Sequence, residues 1–422
     1  MSPSVSDARG EDGDGPTMRT QATTPEHTVA FLSYFTHQSR LFRLIGQALP
    51  SQVASKQLNV YALKPCAVLS QLSPHGGTAP ETLDRITLFD SLKRACKRPG
   101  SDPGCHARRL AREAAGWFQL FRRRLAGVDL LAVWSGFRLP LRAAVCAAES
   151  LGIKTLYCEN GVLPGTMAMD PKGVNFAGSV AGRGPELFLN VQVDPEKEKA
   201  LRGAALQQRP MRRALRPDDD TADGRPLPDR YVLFPMQVHD DSQVLLFSPR
   251  FRNMDQAVRY IAEQIGLHNT RTGDSLALVV KEHPSDAGRA DYRQLRRSLP
   301  GVHFLRRAPI SDIIGDARAL IVLNSSVGVE GLLYLRPVLT LADALYNIPG
   351  VVRHLEANEE LADVLPAVLD QPANRELITK FLYFLRYDYL VPVSLRSASE
   401  ETIGPAVQRV MDVLHDRLSW AG

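Results

Sequence analysis

The chain has 422 residues, of which 44% are hydrophobic and 23% are charged, a balance typical of a folded globular protein. These values exclude a mainly disordered chain and a collagen-like one, and no apolar run reaches the ~18–20 residues of a membrane-spanning helix. The formal net charge of +5 is too small to indicate a nucleic-acid partner. At ~150 residues per domain, the length predicts two or three domains.

The first residues lack the basic and apolar blocks of a secretory signal. The five cysteines form no CxxC pair, and no histidine spacing completes a zinc site. We therefore expect reduced thiols in a cytoplasmic protein that needs neither a metal ion nor a cofactor.

Composition divides the chain into five segments. Residues 1–26 are rich in small polar residues and predict a disordered tail. A first block covers residues 27–206, and the Pro- and Asp-rich segment 207–230 predicts a linker. A second block covers 231–373, and the helical spacing of 374–422 predicts helices that could pack back on the first block.

Short apolar runs alternate with helical segments in both blocks. In the first block we predict strands at 129–133 and 154–157 around a helix at 139–149. The second block predicts strands at 231–234, 276–280, 303–305 and 319–323, and helices at 254–265, 289–297, 311–316 and 327–335. This alternation predicts an α/β fold of two Rossmann-like domains that face a cleft.

Ligands of such sheets bind beyond the carboxyl ends of the strands, where polar residues are dense in this chain. Glu159 follows the strand at 154–157 and begins a turn-rich loop, 158–175. It is either a general acid or base or, like Asp170, a solvated loop carboxylate.

The strand at 231–234 is followed by a second polar group. Its members are Gln237, His239, Asp240, Asp241 and Gln243. One of two adjacent carboxylates can act as a nucleophile, although either one could simply cap a turn.

Two further strand ends carry residues suited to phosphate. Pro284 favours an extended His283, whose imidazole could hydrogen-bond a leaving phosphate, although a lone histidine is usually structural. The segment 324–326, Asn-Ser-Ser, ends a strand and begins a helix, whose free N–H groups suit phosphate. Glu330 could hold ribose hydroxyls, unless this is an ordinary serine N-cap followed by a favourable acidic residue.

Walker A, GxGxxG, GxSxG and HExxH motifs are absent from the sequence, which argues against a kinase, a dehydrogenase and an α/β-hydrolase. Five other motifs, in order between Trp134 and Pro337, resemble the bacterial capsule polysaccharide biosynthesis family, which transfers the ulosonic acid Kdo. They are WSG at 134–136, ENGxxPGTxxxDxxGVN at 159–175, QVxxDSQ at 237–243, KEHP at 281–284 and NSSVGVEGL at 324–332.

The resemblance implies a GT-B-like, retaining β-Kdo glycosyltransferase of capsule synthesis that uses CMP-β-Kdo without a metal ion. One set of motifs implies the single-module type, which starts the Kdo linker on phosphatidylglycerol. Asp241 would be the nucleophile of a double displacement and Glu159 the acid/base, by analogy with retaining glycosidases. Asp240 is a rival nucleophile that the motif does not exclude.

The resemblance also assigns binding residues. The donor, and its phosphate in particular, would be held by Lys281, His283, Pro284, Asn324, Ser325, Ser326 and Glu330. Sugar and acceptor would be oriented by Arg138, Asn160, Gly161, Asn175, Gln237, Asp240 and Gln243. Arg138 would pair with the Kdo carboxylate.

The segment 106–125 interleaves arginines with Trp117, Phe118 and Phe121. It predicts a basic amphipathic helix that docks the protein, from the cytoplasm, on the anionic inner membrane. The alternative is a helix whose aromatic residues lie in the core. Capsule biosynthesis and export proteins are further candidate partners.

Two alternative functions remain open at this point. One is another CMP-sugar transferase, either sialyltransferase-like or a Kdo transferase that acts on another glycan. The other is a non-catalytic module of capsule assembly, which is disfavoured because Glu159, Asp241 and His283 are all present.

Overall fold

The computed structural model describes residues 25–70, 78–97, 103–207, 226–286, 289–306 and 308–421. Most of the predicted tail 1–26, and residues 208–225 of the predicted linker, lie outside the described residues.

The described residues form twelve strands in two six-stranded sheets. They are β1 (His27–Ser33), β2 (Val53–Asn59), β3 (Leu130–Trp134), β4 (Lys154–Asn160), β5 (Met167–Asp170), β6 (Tyr231–Pro235), β7 (Ala277–Lys281), β8 (His303–Leu305), β9 (Ala319–Val322), β10 (Val338–Thr340), β11 (Arg353–His354) and β12 (Leu390–Val391). The sheet orders are β12-β5-β4-β3-β1-β2 and β11-β10-β9-β6-β7-β8.

Both sheets are mainly parallel. In the first, β5 is antiparallel to both of its neighbours, β4 and β12, at one edge, and in the second all pairs are parallel. Strand order reverses between β1 and β3 and between β6 and β9, the positions at which such sheets bind ligands. The prediction of an α/β protein with two Rossmann-like sheets is confirmed.

Helices cover both faces of each sheet. They are α1 (Thr36–Gln47), α2 (Val60–Ser70), α3 (Pro80–Lys97), α4 (Pro103–Arg124), α5 (Leu141–Ser150), α6 (Glu186–Leu189), α7 (Pro195–Gln207), α8 (Ser242–Phe247), α9 (Met254–Thr272), α10 (Arg293–Ser298), α11 (Ile310–Ile314), α12 (Val327–Leu333), α13 (Leu361–Asp370), α14 (Arg375–Phe384) and α15 (Gly404–Leu414). Burial on both faces explains why the central strands are continuous apolar runs, as in β6, whose five residues are all buried.

The chain returns to the first sheet after α14. A π-helical turn, Leu385–Tyr389, leads into β12, which pairs with β5. α15 then packs on the face that also carries α1, and Lys154 Nζ of β4 donates to the Leu414 carbonyl at 2.8 Å. The helical spacing of 374–422 did not indicate the short strand between these helices.

The predicted loop 158–175 differs from the structure in two ways. β4 continues to Asn160, so Glu159 lies within the strand, and residues Met167–Asp170 form β5. Turn-forming residues at 160–165 had suggested a long loop, whereas they make the tight connection of a hairpin. The Gly161 N–H donates to the Thr166 carbonyl at 2.9 Å.

Candidate active site

A cavity of about 970 Å³ opens at the carboxyl ends of β6, β7 and β8. We call it the main cavity. His283 and the start of α12 border it, together with Arg289, Arg296 and Arg306. Its volume lies in the range of small-molecule sites, and it adjoins the position where strand order reverses.

His283 presents a defined tautomer to the main cavity. The backbone N–H of Ser285 donates to its Nδ1 at 3.1 Å, which places the proton of the neutral ring on Nε2. Burial lowers the pKa of His283, although the charges of Asp286 and Asp241 act in the opposite direction. The neutral ring that a lowered pKa favours near pH 7 can still donate from Nε2 to a phosphate oxygen.

Glu159, in the first domain, is a carboxyl group tuned to neutral pH. Burial raises its pKa to about 7, against a hydrogen bond from the Asn160 backbone N–H at 2.9 Å. The charge of Asp241 raises it further, and hydrogen bonds from the side chains of Trp134 and Ser135 lower it. A group with this pKa can accept or donate a proton near pH 7.

Asp241 is the N-cap of α8, in the loop that follows β6. Its Oδ1 accepts the Gln243 N–H at 2.8 Å and the Ser242 hydroxyl at 3.4 Å. The turn-capping alternative therefore holds for this residue. Its charge nevertheless acts on both Glu159 and His283, so the structure brings these three predicted catalytic residues together.

Asp240 points into an ion cluster between the domains. Its carboxylate lies 3.2 Å from Lys93 Nζ, 3.0 Å from Lys97 Nζ and 2.9 Å from Arg289 Nη2, and it is 4% exposed. Burial favours the neutral acid, but hydrogen bonds and charges from Lys97 and Lys93 outweigh it and hold the pKa of Asp240 well below its usual range. Asp240 is an interdomain anchor in this structure.

Gln237 and Asn324 are buried against each other. Gln237 Nε2 donates to Asn324 Oδ1 at 3.0 Å, and the Asn324 N–H donates to Gln237 Oε1 at 3.3 Å. Asn324 Nδ2 donates to the carbonyls of Gln243 and Asp343. Both amides thus join the loops after β6 and β9, and their predicted contacts with donor and sugar stay predictions.

Lys281 is also satisfied internally. Its Nζ donates to the carbonyls of Glu282 at 2.7 Å and Arg306 at 3.0 Å, and burial lowers its pKa. It lines the main cavity, as Pro284 does, but its ammonium group holds the ends of β7 and β8 in place.

The serine pair begins α12, as predicted. Ser325 Oγ accepts the Val327 N–H at 3.3 Å, whereas the exposed Ser326 makes no side-chain cap hydrogen bond. The Tyr346 hydroxyl donates to the Ser325 carbonyl. A Cβ on Gly328 would lie 2.3 Å from that tyrosine oxygen, so glycine is required for this contact.

Glu330 lies in a different cavity from His283. It lines a space of about 240 Å³ with Leu163, Leu201 and Arg386, and burial raises its pKa. The two cavities border the same helices, α11 and α12. Ile310 and Val327 of these helices line the main cavity, whereas Ser311 of α11 lines the smaller one together with Glu330 of α12. The predicted donor residues are therefore divided between neighbouring cavities.

The predicted orienting residues of the first domain lie at the ends of β3 and β4 and after β5. The Arg138 guanidinium lies 4.3 Å from the centre of the Tyr34 ring, at the position where the first sheet reverses its strand order. Asn160 is exposed at the end of β4. Asn175 has a φ of 59°, in the left-handed region that asparagine tolerates better than most residues.

Asp170 is fully buried, so the alternative of a solvated loop carboxylate is wrong for this residue. It accepts the N–H groups of Lys172 at 2.8 Å and Ser179 at 2.7 Å, and the Tyr389 hydroxyl at 3.0 Å. It fixes the loop after β5 against the π-helical turn.

Sequence reasoning missed several site residues. Trp134 and Ser135, whose side chains hydrogen-bond to Glu159, lie in the WSG motif. The motif did not reveal these hydrogen bonds or the left-handed φ of 59° at Ser135. Lys93 and Lys97 lie in a short basic stretch that matches no motif. Their shared partner, Asp240, is too distant in sequence for any local pattern to reveal it.

The helix predicted for membrane docking exists, but its aromatic residues do not face outward. In α4, Trp117, Phe118 and Phe121 are 3%, 6% and 0% exposed and belong to the core of the first domain. The alternative of core aromatics is therefore correct. The exposed face carries Arg108, Arg109, Arg112 and Arg122–Arg124. None of the helices in the described ranges is long and apolar enough to cross a membrane.

Residues 194–378 match the model of a family described as capsule polysaccharide biosynthesis protein. The match supports the resemblance drawn from the motifs, three of which, at 237–243, 281–284 and 324–332, lie within this segment.

Two named relatives are similar to parts of the chain. Protein FixF of Sinorhizobium fredii is 30% identical over 62% of this chain and 60% of its own length. The capsule polysaccharide export protein KpsS of Escherichia coli is 28% identical over 30% of this chain and 33% of its own length. The chain thus covers less than two thirds of either relative.

Among solved structures, the chain is similar to the β-Kdo 2,7 transferase of Thermosulfurimonas dismutans KpsC, at 14% identity and a TM-score of 0.44 over 93% of this chain and 100% of that chain. Likeness at this level carries no functional conclusion.

Proposed function

We propose that the protein is a glycosyltransferase that moves Kdo from CMP-β-Kdo to a phosphatidylglycerol-type lipid or a Kdo-lipid in capsule polysaccharide synthesis. One observation carries the proposal: Glu159, with a pKa of about 7, faces the charge of Asp241 across the cleft, beside the neutral His283. Two carboxyl groups in unlike environments are what a retaining transfer needs.

In the first step, an oxygen of Asp241 bonds to the anomeric carbon of Kdo while the bond to CMP breaks. CMP leaves with the bonding electron pair on its phosphate, which accepts a hydrogen bond from His283 Nε2. In the second step the ionised Glu159 takes the proton of the acceptor hydroxyl. The acceptor oxygen then displaces Asp241, and the configuration of the sugar is retained.

The surroundings of the two aspartates favour Asp241 as the nucleophile. Asp240 faces three cations and is 4% exposed, so attack on a sugar would require an interdomain ion cluster to break. The capping bonds of Asp241 engage Oδ1 and fix the orientation of its carboxylate at the start of α8. Asp240 is better suited to hold the loop that carries Asp241.

We further propose that the protein works at the cytoplasmic face of the inner membrane. The support for this is the exposed arginine face of α4 alone, because the aromatic residues of that helix are buried. Each basic residue near an anionic surface contributes about 1 kcal/mol. Donor binding would use His283 and the serine pair, without a metal ion.

The direct test is incubation with CMP-Kdo and phosphatidylglycerol micelles, with mass spectrometry of the lipid and measurement of CMP release. We expect a Kdo-lipid, and Glu159→Gln should lower kcat by about 10²–10⁴-fold. The exposed Glu263→Gln serves as the control. Absence of both product and CMP release would refute the proposal, and equal use of CMP-sialic acid would refute its choice of donor.

A further inference from the structure

A second cavity, of about 670 Å³, lies between the two domains. Cys96 and Lys97 of α3 line it from the first domain, and Arg252, Arg289 and Tyr292 line it from the second. We call it the interdomain cavity. The segment 289–292 also lines the main cavity, so it forms a common wall between the two spaces.

The interdomain cavity carries an excess of positive charge. Among the described residues, Lys93, Lys97 and Arg289 share the single carboxylate of Asp240, which leaves two of their three charges uncompensated there. Arg252 adds another exposed guanidinium, for which the described residues provide no ion-pair partner.

The acidic side chains of the cavity do not neutralise this excess. Asp255 pairs with Arg259 at 2.7 Å, and Asp291 pairs with Arg293 at 2.7 Å. Positively charged side chains of both domains therefore face the cavity, and together they attract an anion.

We propose that the interdomain cavity binds the phosphate ester of the acceptor. The identity of the ligand rests on the proposed function, whereas the anion site rests on the charges alone. Guanidinium groups of Arg252 and Arg289 suit phosphate because their paired N–H donors match two of its oxygens. Lys97 adds a third positive charge from the opposite domain.

The position of the cavity fits an acceptor better than a donor. The wall at 289–292 separates it from the main cavity, where His283 lies, so both substrates can be bound together. Asp240, at the centre of the cation cluster, is adjacent in sequence to Asp241. A bound acceptor would thus lie beside the nucleophile, and its binding would draw the two domains together.

Cys96 provides a readout that does not depend on transfer. Its thiol is exposed and lines the interdomain cavity, and burial and the charge of Asp240 raise its pKa. A bound phosphate ester would shield the thiol and disfavour its thiolate form. Alkylation of Cys96 by iodoacetamide, followed by peptide mass spectrometry, measures both effects.

The full-length protein is alkylated with and without glycerophosphoglycerol, at constant ionic strength. We expect saturable protection of Cys96, and the half-protecting concentration should rise about tenfold in Arg252→Gln, which removes one charged contact. Arg318→Gln is the control, since Arg318 is exposed at the opposite end of the second sheet. Absence of protection, or equal protection in Arg252→Gln, would overturn the anion site.

Two further arms test the identity of the ligand. Protection by inorganic phosphate but not by glycerophosphoglycerol would overturn the acceptor assignment, and so would protection by CMP. In the transfer assay, Arg252→Gln should raise KM for the lipid about tenfold and leave KM for CMP-Kdo unchanged. If Cys96 is protected but no CMP is released, the anion site stands and the transferase function fails.

Discussion

Carboxylate side chains that look equivalent in the sequence have different surroundings in the folded protein. Asp240 and Asp241 are adjacent, yet one is held by three cations between domains and the other caps a helix at the cleft. Glu159 differs from both because burial raises its pKa to about 7. Chemical roles follow from these surroundings, which depend on tertiary contacts.

The pH dependence of transfer should report Glu159. Its ionised form accepts the proton of the acceptor, so kcat should rise with pH and reach a plateau above the pKa of about 7. In Glu159→Gln this rising limb should disappear from the residual activity. A limb that persists unchanged in the variant would show that another group is the base.

The same pKa makes a prediction about stability. The folded-state pKa of Glu159 lies above the unfolded value, so its stabilising contribution is present below about pH 4.5 and is lost as pH rises through about 7. At pH 8, Glu159→Gln should therefore be more stable than the wild type, by at most about 3 kcal/mol.

Thermal melting at pH 8 and pH 5 tests this expectation. The gap between Glu159→Gln and the wild type should shrink at pH 5, whereas the exposed Glu263→Gln should show no such change. If Glu159→Gln melted at a lower temperature than the wild type at pH 8, the ionised Glu159 carboxylate would not be destabilised by burial, and the prediction would be wrong.

At the scale of single elements, α12 depends on a glycine. Because a Cβ on Gly328 would lie 2.3 Å from the Tyr346 oxygen, Gly328→Ala should displace the start of α12 and Ser325 with it. We expect a lower melting temperature and weaker CMP binding by calorimetry. Unchanged CMP affinity would argue against a donor-binding role for this segment.

Gly266→Ala is a matched control for that variant. Gly266 lies inside α9, and a Cβ there would meet no atom within 4 Å. Alanine should stabilise the helix by about 0.5–1 kcal/mol, so the two substitutions should shift the melting temperature in opposite directions.

The helix α4 is a core element with a basic outer face. Trp117→Ala should cost about 3–5 kcal/mol because the indole is buried in the core of the first domain. Arg109→Ala on the exposed face should change the free energy of unfolding by less than about 0.5 kcal/mol. Denaturant unfolding measures both, and a neutral Trp117→Ala would contradict the observed burial.

Across the whole molecule, several contacts tie the domains together. Phe247 of α8 lies 5.5 Å from Phe137 and 5.9 Å from Phe176, measured between ring centres. The Asp240 cluster joins α3 to the second domain, and β12 returns the chain to the first sheet. These contacts hold Glu159 and Asp241, which belong to different domains, at the same cleft.

Loss of the Asp240 carboxylate should loosen this arrangement. Asp240→Asn would leave three cations facing one another, so amide hydrogen exchange in α3 should accelerate. The control is Asp363→Asn, which breaks an exposed pair with Arg271. Equal exchange in α3 of Asp240→Asn and wild type would show that the cluster does not hold the domains together.

The sequence predicts local features of this molecule better than its long-range contacts. Six strands and the serine-started helix were placed correctly, because continuous apolar runs and strand-end polar residues are local signals. β12 and the partners of Asp240 could not be predicted, since they depend on pairing between distant segments. The location of the aromatic face of α4 could not be predicted, because a helix that packs on the core and a helix that lies on a membrane surface show the same amphipathic pattern.

A double displacement requires a covalent Kdo–enzyme intermediate, which mass spectrometry of the protein incubated with CMP-Kdo alone can detect. We predict a mass increment of one Kdo residue, carried by the peptide that contains Asp241. It should be absent from Asp241→Ala and present in Asp240→Ala. An increment that persists in Asp241→Ala, or no increment in a wild-type protein that releases CMP and forms Kdo-lipid, would contradict the account.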